Sequence, residues 1–155
     1  MDTQTETAPA LAARWNTETR YKILLELNNA IVTCKSRDDL FMALSRELQQ
    51  HIAYDRLCIM LYDSQNGTIT YFAAADGVQP SGVVAQKSRP LADGAVARMA
   101  IQSRQPVIFD DLTRYTDLSS VGELVRAGLK STMVFPMIVR DQLLGTIHFS
   151  FRNAP

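Results

Sequence analysis

Apolar residues change their spacing near residue 56, and that change divides the chain into a helical part and a sheet-forming part. Over 18–32 they fall at Tyr21, Leu24, Leu25, Leu27, Ile31 and Val32, which traces one face of a helix. Ser36 then stands where an N-cap belongs, and Leu40, Phe41, Leu44 and Leu48 give a second helix its stripe, to about His51. From 56 the pattern becomes that of strands. The run 56–62 (R-L-C-I-M-L-Y) is nearly continuous and apolar, as a central strand covered on both faces should be. A turn over 63–67, with an Asn66-Gly67 pair suited to positive φ, leads into a partner strand over 68–75. A polar connection over 76–90 gives way to a short helix over 95–103, with Asp93 near its start. A short strand over 106–109 and a loop over 110–118 follow. Ser120 and Glu123 form a capping-box pattern for another short helix over 121–127, stopped by Gly128.

The last stretch, 131–151 (S-T-M-V-F-P-M-I-V-R-D-Q-L-L-G-T-I-H-F-S-F), organises the rest. It reads as two buried strands folded on each other at Arg140-Asp141-Gln142, with Gly145 just inside the second. Pro136 cannot donate to a ladder, so it marks a sheet edge or a bulge. Two sequential hairpins imply mostly antiparallel pairing, with the long helices over one face and the short helices and loops over the other. That is an α+β sandwich.

Composition narrows the function classes. The 155 residues carry 16 Lys and Arg against 16 Asp and Glu, and these charges are interspersed, so no nucleic-acid footprint or acidic tail stands out. Cys34 and Cys58 form no C-x-x-C and no metal spacing, which fits free thiols in a reducing compartment. The polar, acidic start M-D-T-Q-T-E-T is no secretory signal, and no apolar run reaches the roughly 20 residues that cross a bilayer. The expectation is a cytoplasmic domain, its first 17 residues flexible or partly helical. G-x-x-x-x-G-K, G-x-G-x-x-G, G-x-S-x-G and H-E-x-x-H are all absent, so no motif supports catalysis, and a zinc site has no ligand cluster.

The residues that could carry chemistry each have a plain structural reading beside the functional one. His148 shares a strand face with Thr146 and Ser150, opposite Gly145, Ile147, Phe149 and Phe151; it could donate to an anion or carbonyl, or simply occupy a wet sheet face. Asp110-Asp111 could hold a cation or a ligand hydroxyl, or hydrogen-bond its own backbone. Asp38-Asp39 suits the dipole of a first helical turn. Cys58 reads as a small core hydrophobe, and Val96, Met99 and Ile101 as core by helical spacing. Lys87, Arg89, Arg98 and Arg104 surround the short helix, and one of them could reach an anionic ligand.

Three segments together resemble a GAF domain. They are D-R-L-C-I-M-L-Y-D, then P-L-A-D-G-A-V-A-R-M-A-I-Q-S-R-Q-P-V-I-F-D-D-L, then A-G-L-K-S-T-M-V-F-P-M-I-V-R-D-Q-L-L-G-T-I-H-F-S-F. The close, Gly128-Leu129-Lys130-Ser131 with V-F-P-M and L-L-G-T-I, carries most of the likeness. The opening L-L-E-L-N-N-A-I-V-T-C-K-S-R-D-D-L-F further resembles sensor modules of bacterial enhancer-binding activators of the formate-hydrogenlyase activator type.

The resemblance implies a PAS-related, six-stranded antiparallel sheet with long helices on one face and a pocket under short helices on the other. Candidate ligand-binding residues are then Phe72, Ala74, Arg89, Val96, Met99, Asp110, Val121, Thr132 and His148. The family's cyclic-nucleotide, bilin and sulfoxide-reductase signatures are missing, so the implied ligand is an unidentified small molecule, with no haem or metal signature. Family members normally close with one more helix, which 18–155 lacks. The resemblance thus implies a sensor module in a longer chain, not an enzyme, dimerising through its N-terminal helix and passing ligand occupancy to an output domain. A module filled by its own side chains and serving only for dimerisation is the alternative.

Overall fold

The computed structural model describes residues 17–33, 37–76, 79–80 and 88–153. The N-terminal segment, Cys34, Ser36 and Lys87 lie outside them. The described chain divides into two compact units, before and after Tyr54.

The first unit is helical: α1 (Thr17–Thr33) and α2 (Arg37–Gln49). Lys22 and Glu26 are an i,i+4 pair on α1, and His51 Nε2 lies 3.6 Å from Glu26 Oε2 just past the end of α2. Ile23 and Phe41 are buried. Tyr21, Leu24 and Leu25 share one face of α1, and that face is exposed, at 74%, 64% and 55%. A helix advances about 100° per residue, which sets Ile23 nearly opposite that stripe.

The second unit is built on one antiparallel sheet. Its strands are β1 (Arg56–Asp63), β2 (Thr68–Asp76), β3 (Gln79–Pro80), β4 (Ser88–Pro90), β5 (Val107–Phe109), β6 (Ser131–Val139) and β7 (Gln142–Phe151). The order across the sheet is β3-β2-β1-β7-β6-β5, with β4 also on β2. Seven strands therefore fill six positions, because β3 pairs with Ala75 and Asp76 while β4 pairs with Thr68–Thr70 at the other end of β2. These two short strands lie within the connection expected to be plain loop. Each ends in a proline at the sheet border, where a missing N–H costs nothing.

The closing hairpin folds as its pattern predicts. Val139 faces Gln142, and the two turn residues Arg140 and Asp141 take φ of 48° and 66°. Pro136 pairs with Thr146 on one side and lies past the end of β5 on the other, and the ladder slips one residue later, between Met137 and Ile138. Gly145 sits against β1 opposite Leu61 with φ of 156°. A Cβ there would be driven into Met60 O and would lie 2.9 Å from Leu61 Cα, so only glycine lets the two central strands close up. In the first hairpin turn Gly67 alone takes positive φ; Asn66 instead donates through Nδ2 to Asp63 Oδ2 at 2.7 Å.

Two short helices follow the first hairpin: α3 (Ala95–Ser103) and α4 (Val121–Arg126). The end of α4 is a Schellman motif, with Leu129 N donating to Leu124 O at 3.1 Å and Gly128 N to Val125 O at 2.9 Å. Its start corrects the capping-box expectation. Ser120 has φ of 70° and makes no side-chain cap, and Glu123 turns away from it.

Candidate functional site

Strand alternation sorts the sheet's side chains onto two faces. The face with Leu57, Met133, Phe149 and Phe151 is apolar and buried, and Phe149 stacks against Tyr54 and Phe135 at ring separations of 5.5 Å and 6.0 Å. The opposite face, beneath α3 and α4, is different. Across it the register sets Cys58 beside His148 and His148 beside Val134, with Met60–Thr146–Pro136 one step along and Ser150–Thr132–Phe109 one step back.

Two apolar clusters form on this second face. Val96, Ala100, Phe109, Leu112, Val121, Leu129 and Val134 pack at the β5–β6 side. Cys58, Met60, Ile69, Ala97 and Ile101 pack at the β1–β2 side, with Tyr62, Tyr71, Leu91 and Leu143 against them. Between the clusters runs a buried polar strip of Thr132, Thr146, His148 and Ser150, none more than 8% exposed.

The strip satisfies itself in pairs. Thr132 Oγ1 donates to Phe149 O at 3.2 Å, so the 2.9 Å contact between Thr132 Oγ1 and Ser150 Oγ places the proton on the serine. Thr146 Oγ1 and His148 Nε2 are hydrogen-bonded at 2.8 Å. Burial pushes the His148 imidazole down to about 4, so it is neutral at pH 7. Burial likewise pushes the Cys58 thiol up to about 12, against the weaker pull of Arg56 and Arg89, so no thiolate is on hand. Among the described residues no group of three or more His, Cys, Asp and Glu could hold a metal. The strip can donate and accept hydrogen bonds, and it offers neither an activated nucleophile nor a poised base.

One edge of this face is charged. Arg89 lies on β4 beside Ile69, and its guanidinium carbon is 5.3 Å from the centre of the Tyr71 ring. Arg89 Nη2 is 3.9 Å from Glu123 Oε2 on α4. This is where the Glu123 carboxylate goes instead of capping its own helix. Burial raises the Tyr71 phenol above its usual range, and the charges acting on it include Arg89, Glu123 and Arg56.

The structure thus brings Arg89, Val96, Val121, Thr132 and His148 together around the covered face. Ala74 pairs with Cys58, in the same row as His148. Phe72 is displaced from that set. The β1–β2 ladder pairs Ile59 with Ala73 but Met60 with Tyr71, so Phe72 is the extra residue of a bulge and Tyr71 takes the inward place. Met99 is 42% exposed, on the side of α3 away from Val96, Ala97, Ala100 and Ile101. Asp110 is exposed where β5 ends, and its neighbour Asp111 caps the next turn by accepting from Thr113 N at 3.0 Å. Arg98 and Arg104 turn elsewhere, Arg98 to Ala92 O and Arg104 to Asp141 O. Tyr71 and Glu123 are the site residues that strand and helix patterns miss. A bulge breaks the alternation that would find the first, and the partner of the second lies 34 positions away in sequence.

No curated protein sequence matches this chain. The GAF domain of a phosphoenolpyruvate-protein phosphotransferase from Coxiella burnetii has a similar fold, with a TM-score of 0.70 at 14% identity over 91% of this chain and 82% of that one. A two-component sensor histidine kinase from Bacillus halodurans contributes another GAF domain, with a TM-score of 0.64 at 19% identity over 79% and 80%. The phycocyanobilin-bound GAF domain of a cyanobacterial phytochrome gives 0.64 at 18% identity over 88% and 81%. At these identities the likeness is one of fold. The sequence itself matches the family model for the GAF domain over residues 34–155, so the chain belongs to the GAF domain family.

Proposed function

We propose that this domain is a regulatory sensor, in which a small molecule binds on the covered sheet face beneath α3 and α4. The reading rests on one observation: four polar side chains, Thr132, Thr146, His148 and Ser150, are buried between two apolar clusters. An interior selected for packing alone gains nothing from such a strip, since each buried hydroxyl or imidazole must recover its desolvation cost through hydrogen bonds. In the sensor reading, occupancy reorders α3, α4 and their loops, and a cytoplasmic output domain in a longer bacterial signalling or regulatory chain responds. Two copies meet through α1, whose Tyr21, Leu24 and Leu25 are exposed together. The reading is regulatory rather than catalytic, and it is supported by burial that keeps Cys58 protonated and His148 neutral at pH 7.

Native mass spectrometry of the purified chain, with denaturing extraction, tests this. A reproducible extra mass released on denaturation supports the sensor. A specific feature favours the rival, a self-filled dimerisation module: Thr132–Ser150 and Thr146–His148 already satisfy one another. That module gives a clean apo mass and no saturable thermal shift with any metabolite tried.

A further inference from the structure

Glu123 is placed to cap its own helix and does not. The residue three after Ser120 in an S-x-x-E pattern ordinarily reaches back to the N-cap. Here Ser120 is left-handed with no side-chain cap, and the Glu123 carboxylate reaches to Arg89 across the gap between α4 and the sheet edge. The ion pair is loose, at 3.9 Å, with the Glu123 side chain 57% exposed and that of Arg89 22% exposed. Arg89 itself is held from below by the Tyr71 ring. At this edge the Arg89 guanidinium therefore meets the Glu123 carboxylate only loosely, and that carboxylate comes from α4.

Inward of Arg89 lies the apolar cluster of Met60 and Ile69, both buried, with Leu91 and Tyr71 packed against it. The polar strip at His148 lies two strands inward from Tyr71, about 10 Å at the usual strand spacing. A ligand that parts this cluster from the β4 edge would meet the Arg89 guanidinium first, apolar side chains next, and neutral hydroxyls last. An Arg fork matches a carboxylate in a bidentate geometry that the loose Glu123 contact does not achieve.

We propose that the ligand is a small organic carboxylate on a compact apolar body, and that its carboxylate displaces Glu123 from Arg89. This rests on the sensor reading above and adds to it the ligand's charge and the first contact that breaks. Glu123 is then an internal stand-in for the ligand, holding α4 to β4 until the anion arrives. Release of that contact leaves α4 held by Val121, Leu124 and Val125 in the apolar cluster and by its C-terminal motif, without its Glu123 tie to β4, so binding can shift its sheet-edge side.

The test uses the full chain, with sodium benzoate as the probe and benzamide as its neutral counterpart. Binding is followed by two-dimensional NMR, including the Arg side-chain Nε–Hε signals. Benzoate should shift the Arg89 and Tyr71 signals saturably, and benzamide should not. Arg89→Gln should weaken benzoate at least tenfold, and Arg89→Lys should weaken it less. Glu123→Gln, at an exposed position where folding is safe, should tighten benzoate by roughly two- to five-fold, the worth of one loose surface pair. Three results each overturn the proposal: benzamide binding as well as benzoate, no benzoate binding at all, or Glu123→Gln leaving benzoate affinity unchanged or weaker. A neutral molecule that co-purifies and binds equally well to Arg89→Gln refutes the anion and leaves the sensor standing. A clean apo mass together with no benzoate response removes both.

Discussion

Acid should unfold this domain through His148 in particular. The imidazole titrates near 6.5 in an unfolded chain and near 4 in the folded one, because burial on the sheet face disfavours its charged form. Below 6.5 the unfolded chain takes up a proton that the folded chain refuses until about pH 4. Stability is therefore flat above neutrality, falls as pH drops through that window, and levels off beneath it. The whole window is worth roughly 3 kcal/mol at 1.36 kcal/mol for each tenfold change, and about 2 kcal/mol of it is spent between pH 7 and pH 5. For a chain of this size that is a fall in Tm of roughly 4–8 °C. Urea unfolding at several pH values, in wild type and in His148→Gln, isolates the effect, because His51 and the carboxylates are common to both. The variant should lose about 2 kcal/mol less than wild type over that interval. Equal losses in the two proteins, or a folded-state NMR titration of His148 near 6.5, would refute the burial argument.

Three other perturbations address the frame around the site. Gly145→Ala drives a methyl group into the backbone of β1 and should cost about 2–4 kcal/mol, whereas Gly67→Ala, with open space around it, should cost only about 1 kcal/mol of backbone strain; equal Tm losses would contradict the close approach. Cys58 should resist a thiol reagent in the folded protein and react once denaturant is added, and peptide mapping that finds it modified at the rate of a free thiol would show the strand is not closed. Leu24→Glu should leave the fold intact, since the side chain is 64% exposed, and convert a dimer to a monomer by light scattering; an unchanged mass removes α1 from the interface.

The sequence reveals the frame better than the site, for physical reasons that differ by element. The closing hairpin is legible because its period-2 pattern, its turn and Gly145 all report on local backbone requirements. The helix over 95–103 is equally plain. β3 and β4 are invisible to pattern reading, because Gln79–Pro80 and Ser88–Pro90 are held by β2 rather than by any preference of their own. The bulge at Phe72 defeats simple alternation and exchanges Tyr71 for Phe72 at the site. On α1 the helical period is right, yet periodicity alone does not say which face is buried. Glu123 shows the same limit more sharply. Its local pattern asks for a cap, and a distant arginine takes the carboxylate instead.

The borders of the sheet bear on how copies of this domain can associate. On the β2 side the outermost strands are two and three residues long and end in Pro80 and Pro90; on the other side β5 has three residues, preceded by Pro106, with Pro136 of β6 just past its end. Among the described residues prolines interrupt both borders, which shortens the row of free N–H groups a neighbour's strand could pair with. Edge-to-edge growth by strand addition is disfavoured to that extent. In the sensor reading, contacts between copies then fall to helices and loops, which, unlike a β ladder, can be remade with each change of ligand.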